Sequence, residues 1–178
     1  MKIIDFTLLI ATIILLVILI MDLVKRLKEE IPYTERVKIN KCRDNAILPS
    51  RKHQHDAGYD LYACLDEDVI VPAGETVKIP TGIRIALPND CFGAIYARSG
   101  LATKYGIRPA NAVGVCDAPY RDEYIVALHN DSNEDYTVKH GDRIAQLIIT
   151  PYISVNFKEV DALDETERGM GSFGSTGR

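Results

Sequence analysis

No pair among the four cysteines, Cys42, Cys64, Cys91 and Cys116, has the spacing of a metal knuckle or a redox pair. That argues against a zinc ribbon and a dithiol oxidoreductase, and free thiols in a reducing compartment are the default. A basic excess is also missing: 21 Lys and Arg stand against 25 Asp and Glu, for a formal net charge of −4. A chain of that charge is not expected to bind nucleic acid stably through its overall field, and an anionic substrate would need local cations or a metal ion. There is no internal repeat, and after Pro32 no convincing amphipathic helix pattern. The 178 residues allow one domain of ordinary size plus an extension.

The most pronounced absence is of charge between Asp5 and Asp22. The run from Phe6 to Met21 holds no charged residue. As a helix it covers about 24 Å, short of a hydrocarbon core of about 30 Å. Adding Ile3, Ile4, Leu23 and Val24 brings it to spanning length. A signal peptide is the main alternative, but no small-residue cleavage site follows; Lys25-Arg26-Leu27-Lys28 does. A buried core helix is a third option, though the run is apolar on every face. The expectation is a membrane anchor over residues 3–24 within a helical segment 1–30. The flanking cations Lys25, Arg26 and Lys28 outweigh Lys2, so the positive-inside rule puts the remaining chain in the cytoplasm. Pro32 ends the helix, and residues 31–36 read as a linker.

From residue 37 the pattern is that of short strands. Candidates are Val37–Ile39, Asp68–Val71, Val77 with Ile79, Ile83–Leu87, Phe92–Tyr96, Tyr124–Leu128, Tyr136–Val138, Ile144–Ile149 and Val155–Val160. Turn residues separate them: Pro72-Ala73-Gly74, Pro80-Thr81-Gly82, Pro88-Asn89-Asp90, Asn130 to Asn133 and His140-Gly141-Asp142. This spacing predicts an all-β sandwich or barrel after a single N-terminal hydrophobic helix.

Five polar clusters punctuate the β region. Asp60 interrupts the strand-like run Ala57 to Ala63; alone, it reads as a strand-edge carboxylate. Arg98-Ser99-Gly100 groups a cation, a hydroxyl and a glycine, a set suited to phosphate. Asn111 to Tyr124 forms a turn between strand runs and carries Asp117 and Tyr120. Gly141 to Leu147 includes Gln146. The C-terminal Arg168-Gly169-Met170-Gly171-Ser172-Phe173-Gly174-Ser175-Thr176-Gly177 has the chemistry of a phosphate clamp with one aromatic cover. His53 and His55 suggest a metal only weakly, and a solvated loop is the simpler reading.

In this order the five clusters closely resemble those of the trimeric deoxyuridine triphosphatases, the dUTPases, over roughly Val37 to Gly177. The resemblance implies a jelly-roll-like β domain of the β-clip type over residues 37–166, with a glycine-rich arm at 167–178. It implies a homotrimer with shared active sites that hydrolyses dUTP to dUMP and diphosphate with Mg²⁺. By the same resemblance, Asp60 helps hold the metal-triphosphate through water, and Arg98, Ser99 and Gly100 contact the phosphates. Asn111 reads the uracil edge. Val115, Cys116 and Asp117 form the hairpin beneath the nucleoside, with Asp117 orienting the attacking water. Tyr120 packs on the deoxyribose, and the backbone at Ile125 meets the base. Gln146 lies near the phosphates. Arg168, Gly174, Ser175 and Thr176 belong to the arm's phosphate contacts, and Phe173 covers the uracil.

Three positions depart from the family pattern: Ala97 where proline is usual, Asp122 where glycine is usual, and Ser172 in place of a common glycine. None removes a polar group assigned to chemistry. Hydrolysis at phosphorus needs in-line water and charge neutralisation. Asp117 can serve as general base, and Arg98, Arg168 and Mg²⁺ can offset the developing charge. A hairpin can exclude thymine's methyl by steric conflict, and an arm that closes can exclude other water. Two rivals remain: a dCTP deaminase on the related fold, whose additional proton-transferring motif is not identifiable, and a nucleotide-fold regulatory protein.

Overall fold

In the computed structural model the described residues are 2–30, 37–111 and 113–171. The chain forms two compact units, Met1–Lys38 and Ile39–Arg178.

The first unit is dominated by α1, Lys2–Glu30, a helix of 29 residues. Its described side chains are Leu8 and Ile10 to Leu23, and all are exposed. Among the described residues no helix is long and apolar enough to cross a membrane. The structure therefore does not support the expected span over residues 3–24. The expected linker at 31–36 lies outside the described residues.

The second unit is built from short strands: β1 (Lys38–Lys41), β2 (Tyr59–Tyr62), β3 (Val69–Val71), β4 (Thr76–Pro80), β5 (Ile83–Ala86) and β6 (Cys91–Tyr96). After the short helix α2 (Ser99–Tyr105) come β7 (Ile107–Pro109), β8 (Gly114–Cys116), β9 (Ile125–Asn130), β10 (Tyr136–Val138) and β11 (Arg143–Pro151). Four small sheets result, ordered β1-β5, β10-β3, β2-β11-β6-β8 and β4-β9-β7. The sequence-based expectation of a mostly-β fold is met. Two details differ. Ser99–Tyr105 is helical, ended by Gly106 at φ 68° with its N–H on the Ala102 carbonyl. Val155 to Val160 alternates like a strand yet is unpaired and exposed.

The core follows the two-residue period of the strands. In β9, Val126, Leu128 and Asn130 are buried; Ile79 of β4, Ile83 and Ile85 of β5, and Ile144 and Leu147 of β11 join them. Asn130 is a polar member, and its side chain is fully satisfied. Nδ2 donates to the Val71 and Glu134 carbonyls, while Oδ1 accepts from the Ser132 N–H and hydroxyl.

The register of the four-stranded sheet matters most for chemistry. Gln146 of β11 lies between Asp60 of β2 and Tyr96 of β6 on one rung. Between Arg143 and Ala145 the β11–β2 register shifts. That irregularity buries Ile144 and Ala145 in succession and leaves Arg143 turned outward, as bulges commonly do.

Candidate active site

The first cluster forms where β2, β11 and the end of β6 meet. Asp60 Oδ1 accepts from Arg98 Nε at 2.8 Å. Asp60 Oδ2 accepts from Arg143 Nη1 at 3.1 Å. Arg98 Nη1 also donates to the Arg143 carbonyl at 3.2 Å. Two guanidiniums converge on one carboxylate, which leaves a net positive group at a half-exposed edge. Gln146 Nε2 donates to the Ala97 carbonyl at 2.8 Å. This bond ties down the loop before Arg98 where the usual proline is missing. Gly58 packs against this side chain, and a Cβ added there would displace Gln146 Oε1. Ser99 and Gly100 open α2 and are exposed, with open space beyond Gly100.

Arg143 was not anticipated as a site residue. It lies in the same cluster as Gln146, but only the register shift turns it toward Asp60, and periodicity does not reveal such a shift.

Mg²⁺ prefers oxygen ligands, retains several waters, and is usually held by one or two carboxylates together with substrate phosphates. Asp60 is one carboxylate, with two of its roughly four lone-pair positions engaged. That suits a hold through water. Among the described residues, no group of three or more His, Cys, Asp or Glu is arranged to hold a metal directly. His53 and His55 are exposed in the loop that precedes β2.

The second cluster is the connection from β8 to β9, two strands of different sheets, which carries the segment expected to form the nucleoside hairpin. β8 pairs antiparallel with β6, Cys116 opposite Gly93 and Gly114 opposite Ile95. The chain then turns, with the Tyr120 N–H donating to the Asp117 carbonyl at 3.0 Å. Asp117 is exposed. The Tyr120 hydroxyl donates to the Glu123 carbonyl at 2.9 Å. Burial, aided by the Asp122 carboxylate, pushes the Tyr120 phenol up, so it remains a donor. Burial likewise raises Cys116, which remains a thiol.

The return leg is anchored to the turn around Gly82. Glu123 Oε1 accepts from the Gly82 N–H at 2.7 Å and from Arg43 Nε at 3.1 Å. Asp122, where glycine is usual, accepts from the Glu123 N–H at 2.7 Å and pairs with Arg84 at 3.5 Å. The face so presented is apolar and uncovered: Val115 is 61% exposed, Tyr120 41% and Ile125 48%. Asn111 is exposed beside Gly114, its carbonyl accepting from the Val113 N–H at 2.6 Å.

The two clusters occupy opposite ends of β6. Cys116 is level with Gly93, and Arg98 follows Tyr96. Gly93 to Tyr96 spans about 10 Å of strand, and Asp117 and Arg98 lie beyond either end. One chain therefore does not bring these two groups to one phosphorus atom. A surface hollow of about 270 Å³, lined by Lys104, Tyr105, Ser132, Asn133, Glu134, Asp135 and Tyr136, contains none of the candidate residues.

In the C-terminal arm Arg168 is exposed, with Nε donating to the Gly171 carbonyl at 3.2 Å. Phe173, Gly174, Ser175 and Thr176 lie outside the described residues.

A dUTPase family model matches residues 44–177. The deoxyuridine 5'-triphosphate nucleotidohydrolase of Desulfitobacterium hafniense (strain DSM 10664 / DCB-2) is 47% identical over 152 residues, covering 85% of this chain and 97% of that protein. This chain belongs to the dUTPase family. Its counterpart in Rickettsia felis is 46% identical over 143 residues, covering 80% of this dUTPase family member and 97% of the relative. A mutant Staphylococcus bacteriophage 80alpha dUTPase, solved with dUpNHpp, matches with a TM-score of 0.74 at 27% identity. The match covers 82% of this chain and 100% of the phage chain. All five polar clusters fall inside the dUTPase match, and α1 falls outside it.

Proposed function

We propose that this chain is a dUTP diphosphatase whose active site is assembled from more than one copy of itself. It hydrolyses dUTP to dUMP and diphosphate, limiting uracil incorporation into DNA and supplying dUMP for thymidylate synthesis. Water attacks the α-phosphate. The observation that carries the reading is the geometry of β6: a paired-guanidinium cluster at one end and an exposed carboxylate on an apolar hairpin at the other. Each is half of a phosphohydrolase site, and a second copy of the chain is the simplest source of the other half. A homotrimer agrees with this.

Arg98 and Arg143 bind the triphosphate charge, with Ser99 and Gly100 as neighbouring donors and Gln146 holding the loop. Bound Mg²⁺ supplies charge neutralisation along the phosphates, with Asp60 its water-mediated partner. Asp117 accepts the proton of the attacking water. Asn111, Val115, Cys116 and Ile125 frame the uracil, and Tyr120 lies against the deoxyribose. Arg168, Phe173, Gly174, Ser175 and Thr176 close over the nucleotide and exclude other water.

Seating of α1 in a membrane, with the β domain cytoplasmic, is a separate proposal. It rests on the sequence alone, on the uncharged run from Phe6 to Met21.

The deciding assay is diphosphate release from dUTP beside dTTP, dCTP and UTP. Release from dUTP alone, or at a rate far above the others, is expected. Ammonia release from dCTP, or no turnover of dUTP, would overturn the reading.

A further inference from the structure

One buried group at the end of the β8–β9 connection has no part in the chemistry above. Tyr124 is 1% exposed and is the largest of the fully buried side chains. Its main chain is locked on both sides: its N–H donates to the Ile83 carbonyl at 2.9 Å, and its carbonyl accepts from Thr81 N–H at 3.2 Å and from the Thr81 hydroxyl. Its hydroxyl is buried without a hydrogen-bond partner of ordinary geometry. The polar group it faces is the Cys116 thiol, a weak partner. A buried hydroxyl left so poorly satisfied costs stability, so what Tyr124 contributes here is its ring.

The ring has a specific neighbour. Its centroid lies 5.9 Å from that of Tyr120, with the planes tilted by 59°. Aromatic pairs at this separation attract beyond their area burial. Tyr120 is also held by its hydroxyl on the Glu123 carbonyl, its N–H on the Asp117 carbonyl and its own carbonyl on Arg121 Nη1, but none of these bonds fixes the rear face of its ring. Its exposed face is the one assigned to the sugar. Tyr124 is thus the wall behind Tyr120, rigid because its own backbone is fixed from both sides.

We infer that Tyr124 is a specificity-positioning residue: its ring holds Tyr120 forward against the deoxyribose, so that a 2′-hydroxyl has no room. The inference rests on the dUTP reading of the hairpin. Without the wall, Tyr120 retreats into the space behind it, and ribonucleotide enters. The ring is the operative part, and the hydroxyl is dispensable for selection.

The test compares Tyr124→Phe and Tyr124→Leu in the full chain by kcat/KM for dUTP and UTP. A pocket that rejects an added hydroxyl by contact discriminates by about 10²-fold, so losing the wall is expected to cost about tenfold or more of the dUTP/UTP ratio. Tyr124→Phe is expected to keep the ratio within about threefold, and Tyr124→Leu to lose it mainly through a changed KM. Tyr124→Met replaces Tyr124→Leu if the latter does not melt cooperatively. A folded non-aromatic variant with the parental ratio overturns the inference, and so does a Tyr124→Phe chain that loses selectivity. If the parental chain itself fails to prefer dUTP, the dUTP reading fails first. If it prefers dUTP and the variants do too, only the role of Tyr124 falls.

Discussion

Asp60 and Arg98 meet at 2.8 Å, carboxylate Oδ1 to guanidinium Nε, and the same carboxylate takes Arg143 on its other oxygen at 3.1 Å. Asp60 holds two cations in place, and the proposed function gives it a second, separable job, holding a metal ion's water shell. Asp60→Asn keeps the size but removes the charge from both. The expected outcome is a fall in kcat/KM that raised Mg²⁺ partly restores. If titration to high Mg²⁺ restores nothing, the residue acts only by orienting Arg98 and Arg143.

Gly82 tests the support beneath the hairpin. Its φ is 69°, and an added Cβ would come within 2.6 Å of Ala46 Cβ and 2.8 Å of Cys64 Sγ. The left-handed backbone costs a non-glycine residue about 1–2 kcal/mol, and overpacking adds about 1–3 kcal/mol. Gly82→Ala is expected to destabilise the fold by about 2–5 kcal/mol in urea melts. The Gly82 N–H is also a donor to Glu123, so the hairpin should loosen with it. A loss below about 1 kcal/mol would mean that the turn relaxes freely.

Alkali should unfold the domain earlier than acid chemistry alone suggests. Burial raises the Cys116 thiol above its ordinary value of 9.0 and the Tyr124 phenol above 10.0. A group whose folded value is raised gives stability that is complete below the unfolded value and is lost as pH climbs toward the folded one. Melting temperature is expected to hold up to about pH 8.5 and to decline above it, with Tyr124→Phe flattening the decline beyond about pH 10. An identical slope in Tyr124→Phe would place the sensitivity elsewhere.

Much of the strand order was readable from period-two patterning. Tyr136–Val138 is β10 to the residue, and β5, β6 and β11 differ from their expected bounds only at the ends. What failed did so for physical reasons. Val155 to Val160 has strand composition, but Phe157 is 98% exposed and no described strand pairs with the segment. Propensity reports a surface that suits a sheet, not a partner for it. Ser99–Tyr105 is too short for a periodic signal, with Leu101 its sole buried residue. The three-residue strands β7 and β8 hide inside turn-rich sequence for the same reason. Asp60, Arg98 and Gln146 were named together through the ordered resemblance to the dUTPases; from the residues alone only Arg98-Ser99-Gly100 suits phosphate, and Asp60 reads as a strand-edge carboxylate. Arg143 and Tyr124 were not legible, because the first depends on a register shift and the second on a ring contact within the β8–β9 connection.

The N-terminal helix gives a prediction independent of catalysis. If residues 3–24 sit in a bilayer, the full chain should stay with membranes through a carbonate wash, and a chain starting at Pro32 should be released yet active. Release of the full chain by carbonate, or cleavage after Met21 in cells, would remove the membrane proposal and leave the enzyme reading intact.

The shared site is tested by complementation around Asp117. Asp117→Asn retains the side chain's size and much of its hydrogen bonding, so the hairpin should fold and bind dUTP. General-base assistance supplies about 10²–10⁴-fold, or roughly 3–5 kcal/mol of barrier, so kcat is expected to fall by that factor with affinity little changed. A chain ending at Glu167 loses Arg168 and Phe173 instead and should fail through binding and closure. Asp117 follows β8 and Arg98 follows β6, at opposite ends of the β6–β8 pairing and more than about 10 Å apart along it, so the proposal draws the two groups of each site from different copies. Mixing the two inactive proteins under conditions of proven subunit exchange should then rebuild some sites with an intact Asp117 and an intact arm. Activity is expected to return in part, and to rise with exchange time. If exchanged mixtures stay inactive, the arm serves the copy that bears it. If Asp117→Asn alone keeps near-parental kcat in single turnovers at saturating Mg²⁺, the attacking water is oriented by another group.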